Sequence, residues 1–180
     1  MKSKIEVQWV EKIARGDTAA FKNLFTSYCQ ALINFAQRYV NDTQIAENIV
    51  QDVFVTIWQK RSQLNPTLNI KVYLYTMVKN QSLKYLRHVD VTQRSATHLE
   101  QIQPAVKTPE DESQEKELGE AINAAIEKLP EKERIIFSMN RFDNLTYKEI
   151  ATIQNLSVKT VETYMGRALK SLRNRLADFY

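Results

Sequence analysis

Between Leu145 and Arg173 the apolar positions return with a helical period, broken once, and this predicts two short helices meeting at a tight corner. Thr146 suits an N-cap, and Glu149 at the following N3 position completes a capping box. A helix from Tyr147 to about Gln154 follows, and Gln154, Asn155 and Leu156 make the corner. Ser157 then caps the second helix. On a wheel of about 100° per residue, Val158, Val161, Met165, Ala168, Leu169, Leu172 and Leu176 share one side. Lys159, Thr160, Thr163, Gly166, Arg167, Lys170 and Asn174 share the other. The apolar side must pack on its own domain. The other side is what a DNA major groove needs: cations for phosphates, hydroxyls for base edges, and a glycine that lets the backbone come close. A lone amphipathic helix with a solvated basic face would give the same wheel. The cap, corner, cap and second helix together point to a DNA-binding helix-turn-helix.

A second helical pattern runs from Ile45 to Gln59, with Ala46, Ile49, Val50, Val53 and Ile57 as its core stripe. Phe54, Val55 and Trp58 point away from that stripe, among Glu47, Asn48 and Gln51, with Asp52 farther round near Gln59. Two readings fit. Either a small helical domain wraps these apolar groups, or they form a protein-binding face, since aromatics interleaved with polar groups are typical interface anchors. A third segment, IKVYLYTMVKNQSLKYLRH, places Tyr73, Asn80, Lys84 and Arg87 in one narrow sector, with Lys71, Tyr75 and Lys79 nearby on other faces. Rings that stack on unpaired bases, cations that hold phosphates and an amide that reads a base edge make a single-strand nucleic-acid surface. A bundle helix with buried tyrosines and solvated lysines is the plainer alternative.

Only three glycines and four prolines in 180 residues, with few alternating β-branched runs, predict an all-α chain. The helical pattern fails after Arg87. His88, Asp90, Thr92, Gln93, Ser95, Thr97, Pro104, Thr108 and Pro109 punctuate the stretch that follows. Acidic residues from Glu110 to Glu120 then suit the first turns of a new helix. The expected organisation is two small helical domains, 1–89 and 115–180, joined by a flexible linker over 90–114. Net charge is +4 and the sequence pI is about 9.1, a weak pointer to an anionic partner. Cys29 stands alone, which excludes a disulfide framework and suits a small buried hydrophobe. No apolar run approaches the roughly 20 residues of a membrane span, and MKSKIEVQWV lacks the apolar core of a signal peptide, so a cytoplasmic protein without membrane insertion is expected. His88 and His98 have no cysteine or acidic cluster at metal-ligand spacing, and no glycine-rich phosphate loop or nucleophile elbow is present. The sequence therefore asks for no catalytic residue, no metal and no cofactor.

The three segments carry a resemblance. From about Asp17 to Leu176 the chain resembles a bacterial RNA polymerase sigma factor of the extracytoplasmic-function type, which keeps only regions 2 and 4. AENIVQDVFVTIWQKR resembles the helix that binds core polymerase, IKVYLYTMVKNQSLKYLRH the segment that melts and reads the minus-10 element, and the stretch from Ala121 through the helix-turn-helix the region that reads the minus-35 element. The resemblance implies polymerase contacts at Glu47, Asn48, Gln51, Asp52, Phe54, Val55 and Trp58. It implies minus-10 contacts at Lys71, Tyr73, Tyr75, Lys79, Asn80, Lys84 and Arg87, with Asn80 a reader of a flipped base. Minus-35 contacts fall at Ser157, Lys159, Thr160, Thr163, Tyr164, Arg167 and Lys170. The implied partners are core RNA polymerase and promoter DNA, with an anti-sigma factor as a further candidate that many relatives have. Glu162 and Tyr164 stand where the family often has cations, and Tyr73 where tryptophan is common. Two rivals remain at this level. A stand-alone helix-turn-helix regulator would bind duplex DNA without polymerase, and a helical enzyme acting on nucleic acid would need a carboxylate or histidine cluster.

Overall fold

The computed structural model describes residues 4–65, 67–95 and 114–177, and their side chains apart from 91–95 and 114–118. Among these residues there are eight α-helices, one short 3₁₀ turn and no strand, so the chain is all-α. It divides into two compact units, one reaching to Ser95 with Thr152–Asn155 grouped to it, the other made of the rest. Most of the linker expected over 90–114 lies outside the described residues. None of the described helices is long and apolar enough to cross a membrane.

The first unit is built from α1 (Lys4–Ala14), α2 (Thr18–Val40), α3 (Thr43–Gln59), a 3₁₀ turn (Arg61–Gln63) and α4 (Ile70–Ser95). Each junction has a local chemical cause. Gly16 turns the chain with φ +89°, and Asp17 caps α2 by accepting from the Ala19 and Ala20 N–H groups at 2.9 and 3.0 Å. Asn41 closes α2 in the left-handed region at φ 52°, and Asp42 opens α3 by accepting from the Ile45 N–H at 2.9 Å. Two residues thus reverse the chain into a helical hairpin, and α4 packs against both arms. Leu24, Leu32, Phe35, Val50, Val53, Leu74 and Val78 are fully buried at the centre. Tyr28 donates its hydroxyl to Glu6, tying α1 to α2.

Helix α4 continues to Ser95, past the point where the sequence pattern fails. Asp90 and Thr92 are weak helix formers, each less favourable than alanine by no more than about 0.7 kcal/mol, and neither glycine nor proline stands before Pro104 to stop a helix already formed.

The second unit contains α5 (Gln114–Glu127), α6 (Glu131–Arg141), α7 (Tyr147–Gln154) and α8 (Val158–Arg175). Ala125, Ile126 and Leu129 meet Ala168 and Leu172 in a core cluster, with Phe137 and Leu176 packed against it. The capping box forms as expected. Glu149 Oε2 accepts the Thr146 N–H at 2.9 Å, and Thr146 Oγ1 accepts the Glu149 N–H at 3.3 Å. Asn155 makes the corner at φ 56°. Ser157 Oγ accepts the Thr160 N–H at 3.0 Å and opens α8. Ser157→Ala is expected to remove about 1 kcal/mol of stability, visible as a lowered urea midpoint with an unchanged slope.

The apolar side of α8 is narrower than its wheel suggests. Val161, Met165, Ala168 and Leu172 are buried, whereas Val158 is 36 % and Leu169 49 % exposed. Both lie roughly 60–80° from Val161 on the wheel, at the margins of the buried stripe.

Candidate binding surfaces

On α3 the expected core stripe is in place: Ala46, Ile49, Val50, Val53 and Ile57 are all buried. The outward group divides in two. Phe54 is only 2 % exposed and does not point outward, which corrects the reading of the wheel. Its ring meets the edge of Phe25 at 4.9 Å and of Phe21 at 6.0 Å, in T-shaped geometry. The cause is α2, which brings Phe21 and Phe25, one turn apart, against this side of α3. Trp58 stands half-buried above them. Its ring lies 4.9 Å from Phe21, and the Arg61 guanidinium sits 4.6 Å from its centroid. Arg61 Nη1 also donates to the Trp58 carbonyl at 2.8 Å, so the cation is held where it covers the indole.

The result is an open apolar hollow of about 430 Å³ lined by Phe21, Phe25, Gln51, Phe54, Val55, Trp58 and Gln59. No charged side chain lines it. Val55 is 53 % exposed on its wall. Gln51, Asn48 and Asp52 are exposed and Glu47 is half-buried on the flanking turns. Sequence reasoning found Gln51, Val55 and Trp58 but missed Phe21, Phe25 and Gln59 as lining of the same hollow, and Arg61 as the cation over the Trp58 ring. Cys29 on α2 is half-buried rather than fully packed. Burial first, and the Glu47 carboxylate second, push its thiol pKa up, so it stays protonated.

On α4, Asn80, Lys84 and Arg87 are exposed within the expected sector, with Tyr73 half-buried at its start. Arg87 Nε donates back to the Leu83 carbonyl at 3.2 Å. Lys71 and Lys79 are half-buried, and desolvation lowers the pKa of the Lys79 ammonium. Tyr75 does not belong to this surface. It is 1 % exposed and packs edge-on against Phe35 at 4.9 Å, so its ring is core and has no face left for a base.

On α8, Ser157, Lys159, Thr163, Arg167 and Lys170 are exposed, while Thr160 and Tyr164 are half-buried. Thr160 Oγ1 lies 2.8 Å from Ser157 Oγ, and Thr163 Oγ1 donates to the Lys159 carbonyl at 2.9 Å. A Cβ added at Gly166 would meet nothing within 4 Å, so packing inside the chain does not call for glycine there. Among the described residues no group of three histidine, cysteine or acidic side chains could hold a metal ion. His98 lies outside those residues.

Two family models match the chain: Sigma-70 region 2 over residues 24–91 and Sigma-70 region 4 over residues 119–172. The RNA polymerase sigma-H factor of Pseudomonas aeruginosa is 26 % identical, over 94 % of this chain and 92 % of that protein. The extracytoplasmic-function (ECF) RNA polymerase sigma factor SigW of Bacillus subtilis is 26 % identical, over 94 % and 95 %. The ECF RNA polymerase sigma-E factor of Escherichia coli K12 is also 26 % identical, over 93 % and 92 %. Among solved structures, CnrH in complex with the cytosolic domain of CnrY shares the fold with a TM-score of 0.67 at 22 % identity, over 97 % of this chain and 99 % of that one. The sigma factor RpoE of Bartonella quintana, in complex with the anti-sigma factor NepR, does so with a TM-score of 0.69 at 20 % identity, over 87 % and 96 %.

Proposed function

This chain belongs to the sigma-70 family, as an RNA polymerase sigma factor of the extracytoplasmic-function type, and we propose how its surfaces divide that work. It binds core RNA polymerase and directs promoter-specific initiation of transcription. Residues 1–89 act as region 2, 115–180 as region 4, and 90–114 as the tether between them. The hollow on α3 takes an apolar side chain of the polymerase. Phe54 is its floor, Trp58 and Val55 its walls, Gln51 a polar contact at its edge, and Glu47, Asn48 and Asp52 the rim. The exposed sector of α4 holds unpaired bases of the minus-10 region through Tyr73, Asn80, Lys84 and Arg87, with Lys71 and Lys79 on its flanks. Helix α8 docks duplex DNA at the minus-35 element through Ser157, Lys159, Thr160, Thr163, Tyr164, Arg167 and Lys170.

The observation that carries this division is an uncharged aromatic hollow on α3 and an amide-and-cation sector on α4, both on elements other than the two helices of the helix-turn-helix. A stand-alone regulator has no use for either. No bond is made or broken by the chain. Strand opening follows from binding energy that favours the melted state, and the tether lets two modest contacts add through effective concentration. The chain works where polymerase works, in the cytoplasm. An anti-sigma factor, such as the one bound to the Bartonella RpoE, is the further partner we propose.

The test is reconstitution. The purified chain is added to sigma-free bacterial core polymerase on fragmented genomic DNA, and the transcripts are sequenced. Defined start sites that appear only with the chain present are the expected result. Specific duplex binding by the chain alone, with no transcripts, would instead sustain the stand-alone regulator.

A further inference from the structure

Base selection in a major groove depends on which atoms a helix leaves facing the DNA. On α8 the two candidate threonine hydroxyls are already engaged within the chain. Thr160 Oγ1 lies 2.8 Å from Ser157 Oγ, which accepts the Thr160 N–H, so this hydroxyl belongs to the cap. Thr163 Oγ1 donates its hydrogen to the Lys159 carbonyl one turn back, at 2.9 Å. Such back-bonding fixes χ1 of a threonine in a helix. With the oxygen folded against the backbone, the surface that exposed Thr163 presents is its methyl group.

The position of that methyl is as telling as its chemistry. Thr163 lies on the side opposite buried Val161 and Met165, between Lys159 and Arg167. The next turn on one side of it is Gly166, where no side chain stands in the way. An apolar group flanked by two cations and cleared by a glycine fits the floor of a groove whose edges are phosphates.

We infer that Thr163 selects thymine at one minus-35 position by packing its methyl against the C5 methyl of the base, and not by hydrogen bonding through its hydroxyl. Among the four bases only thymine offers a methyl group in the major groove. The inference rests on the reading of α8 as the minus-35 helix and adds to it the identity of one base. Burying one such contact is equivalent to about one methylene, roughly 0.8 kcal/mol, which is about fourfold in affinity.

The experiment uses the full chain reconstituted with sigma-free core polymerase. Binding-site selection on the parent and on Thr163→Ala first identifies the position whose preference relaxes. Affinity is then measured for promoters with thymine or uracil there, since uracil lacks only the methyl. The parent should favour thymine about fourfold. Thr163→Val, which keeps the methyl and loses the hydroxyl, should keep that preference. Thr163→Ser, which keeps the hydroxyl and loses the methyl, should bind thymine and uracil alike. A parent indifferent to uracil, or a Val variant that fails where the Ser variant succeeds, overturns the inference. If Lys159→Ala still alters the selected sequence, only the methyl contact has failed. If Lys159→Ala, Thr163→Ala and Arg167→Ala all keep the parental profile and affinity, the minus-35 role of α8 fails with it.

Discussion

Trp58→Ala, combined with Gln51→Ala, is expected to weaken binding to core RNA polymerase at least about thirtyfold while leaving helical content intact. Interface anchors of this kind, a half-desolvated indole beside an apolar pocket, lose about 2 kcal/mol or more on truncation, and each 1.4 kcal/mol is about tenfold. Removing the indole takes one wall from the hollow and leaves the Phe21 ring and the Arg61 guanidinium without the ring they pack on. Gln51 contributes a polar contact at the edge of the hollow. Phe54 is the wrong residue for this test. At 2 % exposure its truncation empties the core, costs roughly 3–5 kcal/mol of stability and lowers polymerase binding by unfolding. Val55→Asp supplies the complementary probe. Val55 is 53 % exposed, so a carboxylate there leaves the fold intact and puts a charge where an apolar group must enter. Titration of labelled chain with core polymerase, with circular dichroism as the control, reads both. Unchanged affinity in the Gln51/Trp58 double variant removes the hollow from the polymerase interface.

What was legible in the sequence was what local chemistry decides. The capping box of Thr146 and Glu149, the corner at Asn155 and the Ser157 cap all involve groups within one helical turn, and each forms as expected. The core stripe of α3 was legible for a related reason. A helix that packs on one side must place its apolar residues at helical spacing, whatever it packs against. What a wheel cannot supply is the direction of the second neighbour. The wheel leaves Phe54 and Tyr75 open between core and surface, since they fall off the main stripe or among polar residues. Both are core, because α2 brings Phe21, Phe25 and Phe35 to meet them. The converse holds for Val158 and Leu169, which fall on the apolar side of the α8 wheel yet are 36 % and 49 % exposed. A signal for the hollow was present in Phe21 and Phe25, one turn apart behind the Asp17 cap. It becomes meaningful only once the two-residue turn at Asn41 and Asp42 folds α2 onto α3. The aromatic face was therefore detectable in the sequence as an excess of apolar groups on α3, while its division into floor and wall required the tertiary contacts.

Asn80→Ala is expected to spare closed-complex formation on duplex promoter and to lower open-complex formation by about five- to 150-fold, the equivalent of roughly 1–3 kcal/mol for one base-edge contact. Asn80 is exposed on the α4 sector with Lys84 and Arg87, outside the helix-turn-helix, so its loss leaves duplex docking by α8 untouched. An amide that captures an unpaired base acts only after the base has left the stack, and its contribution therefore falls on the melted state alone. Removing Lys84 should behave differently. Loss of a phosphate contact weakens binding to every sequence alike and reduces its salt dependence. A promoter already unpaired across the minus-10 region separates the two parts of the Asn80 effect. Unpairing in advance removes the cost of unstacking, so the variant should recover in part. The missing base-edge contact remains missing on that template, so recovery should stop short of the parent. Permanganate footprinting with reconstituted polymerase reads the opened thymines directly. A variant that opens duplex promoter as well as the parent shows that Asn80 captures no base, and leaves melting to Tyr73 and the cations of the same helix.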